Sequence, residues 1–327
     1  MPQSDKSVLI LGANGRFGQA AAAAFAAAGW KVLAQARHGS ADALPAGVMA
    51  LSTPLDASRD LAAQAKGASV VVYAVNPPYT AWRKQALPLL RLGMDLALRQ
   101  DALLMLPGNV YNFGAGMPPI LDEHTPERPT TVKGRIRCSM EAELAASASR
   151  GLRSAVIRAG DFFGCGRGSW LDLVIAKSLA RGKLVYPGPM NVPHAWAYLP
   201  DLARAFVAAA ERGDVQGFVR LQFVGSTLTG SQLLSGLETT ATDLGIRPAH
   251  GFKRDSMPWG VIRLGGLAVP MWREVAEMAY LWRVPHALDG TALGQLVGPV
   301  HDTPVADALR QALMDLGLAR RLSEAPV

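Results

Sequence analysis

The stretch Gly12-Ala-Asn14-Gly15-Arg16-Phe17-Gly18 holds the chain's clearest chemistry. Glycines at this spacing bring backbone N–H groups against a diphosphate. Gly12 allows a sharp turn, Gly15 leaves no Cβ in the way of the phosphates, and Gly18 lets the next helix lie close on a sheet. The flanks supply the required elements. An apolar run, Val8-Leu9-Ile10-Leu11, comes before, and an alanine-rich segment from Gln19 to Ala28, closed by Gly29, comes after. A helix beginning at the loop adds free N–H groups and a partial positive charge. The predicted ligand is a dinucleotide.

A second strand, Lys31 to Ala34, ends at Gln35-Ala36-Arg37. A ribose-reading residue belongs about 20 residues past the last glycine. An acid there would bond the ribose of NAD and repel a 2′-phosphate. None is present, and Arg37 and Arg16 can both pair with a phosphate. The reading is NADP, with NAD second. Gly47 to Ser52 reads as a third strand, followed by Asp56 and a helix from Arg59 to Lys66. Ser69 to Val75 is a continuous apolar run, as a buried parallel strand requires. Ligands bind at the carboxyl ends of such strands. Ala74, Val75 and Asn76 should therefore flank the nicotinamide ribose, with Tyr79 and Trp82 nearby.

The spacing Gly-x-x-Gly-x-x-Gly resembles the short-chain dehydrogenase/reductase superfamily, and within it the extended and atypical NAD(P)-dependent epimerase/dehydratases. The resemblance extends over nearly the whole chain. It implies a Rossmann α/β fold, a doubly wound parallel sheet with a smaller, mostly helical C-terminal substrate lobe. The nucleotide domain would be residues 1–165 with 191–225 returning to it, and the lobe 166–190 and 226–327. It also implies that Asp56 contacts the adenine, an N-cap being its competing role.

Val110-Tyr111 sits in a segment similar to the family's Ser-Ser-x-x-Val-Tyr-Gly, with Pro107 in the place of the Ser that bonds the substrate oxygen. Pro129 to Glu141 is similar to Pro-x-x-x-Tyr-Gly-x-x-Lys-x-x-x-Glu. Its Pro, Gly and Glu align, but Lys133 stands for the Tyr and Arg137 for the Lys. The family's Ser-Tyr-Lys set is therefore absent as such. Three sources of the proton stay open: Lys133 made acidic by burial beside Arg137, Tyr111 directly, or water, with Lys133 and Arg137 clamping an anionic substrate. Lys133 also falls among the residues next to the cofactor. Arg158 to Gly164 resembles a segment that closes over the nicotinamide, and His194 to Asp201 resembles the family's His-Val-x-Asp, where Asp201 would cap a helix. Tyr79, Asn109, Tyr111, Phe162 and His194 are the candidate substrate contacts.

The activity implied is an NADP-dependent oxidoreductase acting on a small carbonyl or alcohol with a non-standard proton donor. The alternative is a cofactor-binding redox sensor without turnover. Half of the 327 residues are apolar, enough for a large core, and only 18% are charged. The net charge of +7 is dispersed, so nucleic acid is not expected as a partner. Two cysteines make no disulfide framework, and six scattered histidines give no metal-ligand spacing. A polar start leading straight into strand one argues against a signal peptide, and the cytoplasm is the expected compartment. The most tempting apolar stretch, Pro258 to Met271, contains Arg263 and two adjacent glycines, so neither a membrane span nor a membrane partner is expected. Ala81 to Gln100 reads as a helix with two apolar stripes: Leu87, Leu90, Met94 and Leu98, then Leu89, Leu92 and Leu96. One stripe covers a sheet and the other needs a partner. In the resembled family this helix and the one from Arg135 to Arg150 build a dimeric four-helix bundle, so a homodimer is expected.

Overall fold

The computed structural model describes residues 6–36 and 44–318. The chain begins β1 (Ser7–Leu11), α1 (Arg16–Ala27), β2 (Lys31–Gln35), β3 (Met49–Leu51), α2 (Ser58–Gln64), β4 (Val70–Tyr73), α3 (Trp82–Gln100) and β5 (Leu103–Gly108). It continues β6 (Ile120–Leu121), α4 (Val132–Ser147), β7 (Ser154–Arg158), β8 (Asp161–Phe163), β9 (Lys183–Tyr186), β10 (Pro193–Tyr198), α5 (Leu199–Arg212) and β11 (Phe218–Gln222). Then come β12 (Ser226–Thr229), α6 (Gly230–Asp243), β13 (Lys253–Ser256), α7 (Trp259–Gly265), α8 (Pro270–Glu277), β14 (Ala287–Leu288), α9 (Thr291–Val297) and α10 (Val305–Asp315).

Seven strands form one sheet in the order β3-β2-β1-β4-β5-β7-β11, and every neighbouring pair is parallel. The order reverses between β1 and β4, which opens a crevice at their carboxyl ends. This is the expected Rossmann arrangement. Alternation along the strands divides the core into two layers. Val8, Ile10, Val70, Val72, Leu103 and Met105 pack under α1 and α5. Leu9, Leu11, Val71, Tyr73, Leu104 and Leu106 pack under α2, α3 and α4. The alanines of α1 let it press closely on α5. Gly18 lets α1 lie close on the loop that leaves β1, because a Cβ there would lie 2.5 Å from the Gly12 carbonyl oxygen and 2.8 Å from Ala13 Cα.

The second lobe is less cleanly divided than the sequence suggests. Within 191–225, β11 joins the large sheet, but β10 pairs with β8 and β12 in a separate three-stranded sheet. β9 pairs with β13, and β14 with β6. α9 returns to the nucleotide side, because Leu293, Leu296 and Val297 find their cover beside α5. Asp201 lies in the first turn of α5 but does not cap it. Its buried carboxylate accepts the Thr303 N–H (2.8 Å) and hydroxyl (2.7 Å), holding the approach to α10. The second stripe of α3 is not bare either: Leu96 is buried, and Leu89 and Leu92 are half-buried against the same core as Leu90 and Met94.

Candidate active site and its dinucleotide cleft

A cleft of about 700 Å³ opens at the carboxyl ends of β1, β2 and β4. Gly12, Asn14, Gly15, Arg16, Phe17, Ala74, Val75 and Asn76 line it, as do Gln35, Tyr73, Pro107, Arg137 and Phe162. Gly15 precedes α1 with no side-chain cap, and the first turn of α1 carries no acid, so its N–H groups are left to a ligand's phosphates. Phe17 packs against Phe206 and Phe162 and fixes the start of the helix.

Arg16 takes a different role from the one expected. Its guanidinium donates to the carbonyls of Gly164 (3.4 Å) and Gly168 (3.1 Å), tying the glycine loop to the segment after β8. Arg16 still lines the cleft. Gln35 is buried, with its side chain donating to the Thr53 carbonyl at 3.0 Å. Arg37 lies outside the described residues. Asp56 is exposed beside Leu55, which lines the cleft, and it does not cap α2.

Beyond Pro77 and Pro107 the cleft gives way to a pair of phenols. Tyr79 and Tyr111 hydroxyls are 3.0 Å apart. Tyr79 follows the segment fixed by the Trp82 indole bonding to the Pro77 carbonyl at 2.9 Å. Tyr111 opens a 3-10 turn, Tyr111–Phe113, whose backbone N–H is held by the Asn109 side chain at 3.0 Å. Asn109 therefore shapes the turn. α4 lies tight against it: a Cβ on Gly134 would sit 2.4 Å from the Tyr111 carbonyl oxygen. Burial raises the pKa of both phenols. For Tyr111 the neighbouring Tyr79 and the Asp161 carboxylate push it further up, well above the ordinary value.

Lys133 and Arg137 start from the same face of α4 and end differently. Lys133 is buried, and its Nζ meets the Glu274 carboxylate, the Glu277 carboxylate at 2.6 Å and the Glu274 carbonyl at 3.2 Å. An ammonium has three N–H donors, and all three are committed to α8. Glu277 also accepts the Val132 N–H at the start of α4. The expected cation pair, in which Arg137 loosens the proton of Lys133, is thus replaced by two carboxylates facing the ammonium. Nor does Lys133 line the dinucleotide cleft. The sequence could not announce this, because Glu274 and Glu277 lie more than 140 positions away. Arg137 remains in the cleft. It gives one N–H to the Pro107 carbonyl (3.2 Å) and lies over the Trp82 ring, while its buried Nε has no partner among the described residues. Burial lowers its pKa, with the Tyr111 hydroxyl opposing.

His194 lies deeper. Its Nε2 is 2.8 Å from the Asp161 carboxylate, and its ring is stacked at 4.3 Å on Trp282, beside His286. Burial and His194 hold the His286 imidazole neutral, its pKa lowered to about 3. Sequence reading named His194 but missed Asp161, brought near by the pairing of β8 with β10, and His286, whose backbone N–H bonds to the Pro193 carbonyl at 3.2 Å. Among the described residues, no group of three or more His, Cys, Asp or Glu is placed to hold a metal ion.

The cleft fits a dinucleotide on two observations: the uncapped, acid-free start of α1 and the orphaned Nε of Arg137, a buried donor that a ligand oxygen would satisfy. The fold has many solved counterparts. MoeE5, determined in complex with UDP-glucose and NAD, is 18% identical, covers 94% of this chain and 98% of its own, and superposes with a TM-score of 0.72. UDP-N-acetylglucosamine 4-epimerase from Bacillus cereus is 13% identical, with 94% and 98% covered and a TM-score of 0.72. L-threonine dehydrogenase from Clostridium difficile is 15% identical, with 95% and 98% covered and a TM-score of 0.71. At these identities the likeness is one of fold. No curated protein matches the chain in sequence. The model of the NAD dependent epimerase/dehydratase family matches residues 8–219, from β1 into β11, and the chain belongs to that family.

Proposed function

We propose that the chain is an NADP-dependent oxidoreductase that reduces a small carbonyl compound, with Tyr111 as proton donor and Tyr79 behind it. The Tyr79–Tyr111 hydroxyl pair at the end of the cleft carries this reading. A bound nicotinamide dinucleotide supplies the hydride. Two phenols hold two hydroxyl protons, and their mutual hydrogen bond uses one. With Tyr79 donating to Tyr111, the Tyr111 O–H is free to donate to a substrate oxygen. Burial keeps both phenols protonated at neutral pH, which suits an acid and so favours reduction over alcohol oxidation. Arg137, whose Nε is without a partner among the described residues, would hold the dinucleotide. Phe162 forms part of the apolar wall, and Asp161 with His194 forms the polar end of the substrate space.

NADP over NAD rests on the missing acid at Gln35-Ala36-Arg37, since Arg16 is engaged elsewhere. The family description and the MoeE5 complex both name NAD. A charged contact to the 2′-phosphate is worth about 1.5–3 kcal/mol, so NADPH should bind roughly tenfold or more tighter than NADH. Fluorescence titration with both reduced dinucleotides decides it, and tighter NADH binding overturns the preference. NADPH oxidation in a screen of aldehydes, ketones and quinones tests turnover. Binding without turnover on any of them would favour the redox-sensor reading.

A homodimer through α3 and α4 is supported by the ridge of Leu89 and Leu92 beside the Arg91–Glu143 pair. Light scattering should give twice the chain mass of 34.6 kDa, and a monomer at micromolar concentration rejects it. The cytoplasm is supported by Cys138 and Cys165, both unpaired thiols.

A further inference from the structure

The stretch Pro258 to Met271, too interrupted to span a membrane, folds into the α7–α8 hairpin, and most of its apolar side chains other than Trp259 and Ile262 are exposed. Val261 is 60% exposed, Leu264 71%, Leu267 83%, Val269 40%, Met271 43% and Trp272 41%. They account for six of the eleven exposed large hydrophobics among the described residues, so the exposure is concentrated in one patch. A patch of this kind calls for an occupant.

The charges around it point to which one. Residues 256–273 contain no acid, and Arg263 and Arg273 are both exposed. The acids that flank this stretch are engaged: Asp255 pairs with Lys183 and Lys253, and Glu274 and Glu277 face inward onto Lys133. The surface thus offers apolar side chains, an indole and two cations, with the acids withdrawn. A two-fold contact with a second copy would bring like-charged arginines towards one another. An anionic bilayer instead receives the apolar side chains below the headgroups and the guanidiniums among the phosphates, with Trp272 at the boundary. Among the described residues no helix is long and apolar enough to cross a membrane, so the hairpin can lie on the surface only. The inner side of the hairpin is anchored firmly enough for this. Trp259 is buried with its indole bonded to the Pro187 carbonyl, and Gly265 lets the Trp272 ring pack where a Cβ would come within 2.3 Å.

We propose that the α7–α8 hairpin docks this protein on the surface of an anionic lipid bilayer. The inference is independent of the proposed reaction, although α8 also holds Lys133 and touches the Tyr79 turn. The test is co-sedimentation of the full chain with phosphatidylcholine vesicles with and without phosphatidylglycerol. Binding is expected to the anionic vesicles and to weaken with salt. Each basic residue near such a surface contributes about fivefold in affinity, so the double variant Arg263→Gln/Arg273→Gln should bind roughly 25-fold more weakly. Leu264→Asp/Leu267→Asp should remove binding, and the exposure of both positions keeps the fold intact, checked by circular dichroism and dinucleotide titration. Absence of binding to anionic vesicles overturns the proposal. So does binding that neither variant weakens, or a doubled mass in solution that the aspartate variant halves, which would assign the patch to a second copy.

Discussion

Tyr111→Phe is expected to lower turnover of NADPH with the carbonyl substrate by about 10²-fold or more, the range for a lost general acid. Dinucleotide affinity should be unchanged, because the Tyr111 ring lies past the end of the cleft lined by Pro107 and Arg137. The loss should fall on kcat and kcat/KM together, as for an interaction made in the transition state. Tyr79→Phe should cost less, since Tyr111 keeps its own proton and loses only the neighbour that orders it. The pH profile gives a second reading. Burial, Tyr79 and Asp161 all favour the protonated phenol of Tyr111, so the acid form persists above the ordinary tyrosine pKa. The kcat for reduction should therefore stay level through pH 6–9 and fall only at higher pH. Lys133→Met separates the remaining possibility. With all three ammonium protons held by Glu274 and Glu277, its effect should be on stability and on the seating of α8. Tyr111→Phe with undiminished kcat, or Lys133→Met with the 100-fold loss instead, would remove Tyr111 from the role.

The glycine loop was legible because its three glycines serve local geometry, and local geometry depends on neighbours in sequence. The parallel sheet was legible from continuous apolar runs for the same reason, and Ala74, Val75 and Asn76 follow from where such a strand must end. The far ends of Arg16 and Lys133 were not legible, because both meet partners that only tertiary structure supplies. Arg16 reaches carbonyls about 150 positions away, and Lys133 reaches a helix in the other lobe. A charge's type and position in a motif fix where its stem begins, and a long flexible side chain leaves the other end undetermined. How far the two stripes of α3 are covered was not legible for a related reason. The helix packs between a sheet and two neighbouring helices, which bury Leu96 and leave Leu89 and Leu92 half-buried. Asn109, named as a substrate contact, also folds the turn that presents Tyr111, a role fixed by a bond two residues along the chain.

Arg158→Met should destabilise the protein by about 3–5 kcal/mol, the cost of breaking a buried ion pair by removing one partner. Arg158 is fully buried at the end of β7 and donates to Glu141 at 2.6 and 3.2 Å and to Glu127. Glu141, 1% exposed on α4, also accepts from Asn112 at 3.0 Å and from Arg220 at 3.0 Å. The guanidinium of Arg158 lies over the Phe113 ring. One cluster therefore joins β7, β11, α4 and the Tyr111–Phe113 turn. Methionine fills most of the volume but leaves Glu141 charged in the interior, with only the partly exposed Arg220 as a counter-ion. Urea unfolding should show the midpoint moving down. Adding Glu141→Gln removes the stranded charge, so the double variant should recover part of the loss, a coupling that two independent sites would not show. Because the same cluster holds the turn, Arg158→Met should also slow the residual folded enzyme, whereas an effect on stability alone would mean that Asn109 and Gly134 position Tyr111 without it. A loss of unfolding free energy below about 1 kcal/mol would mean that Arg220 and water neutralise Glu141, and that the cluster does not hold these elements together.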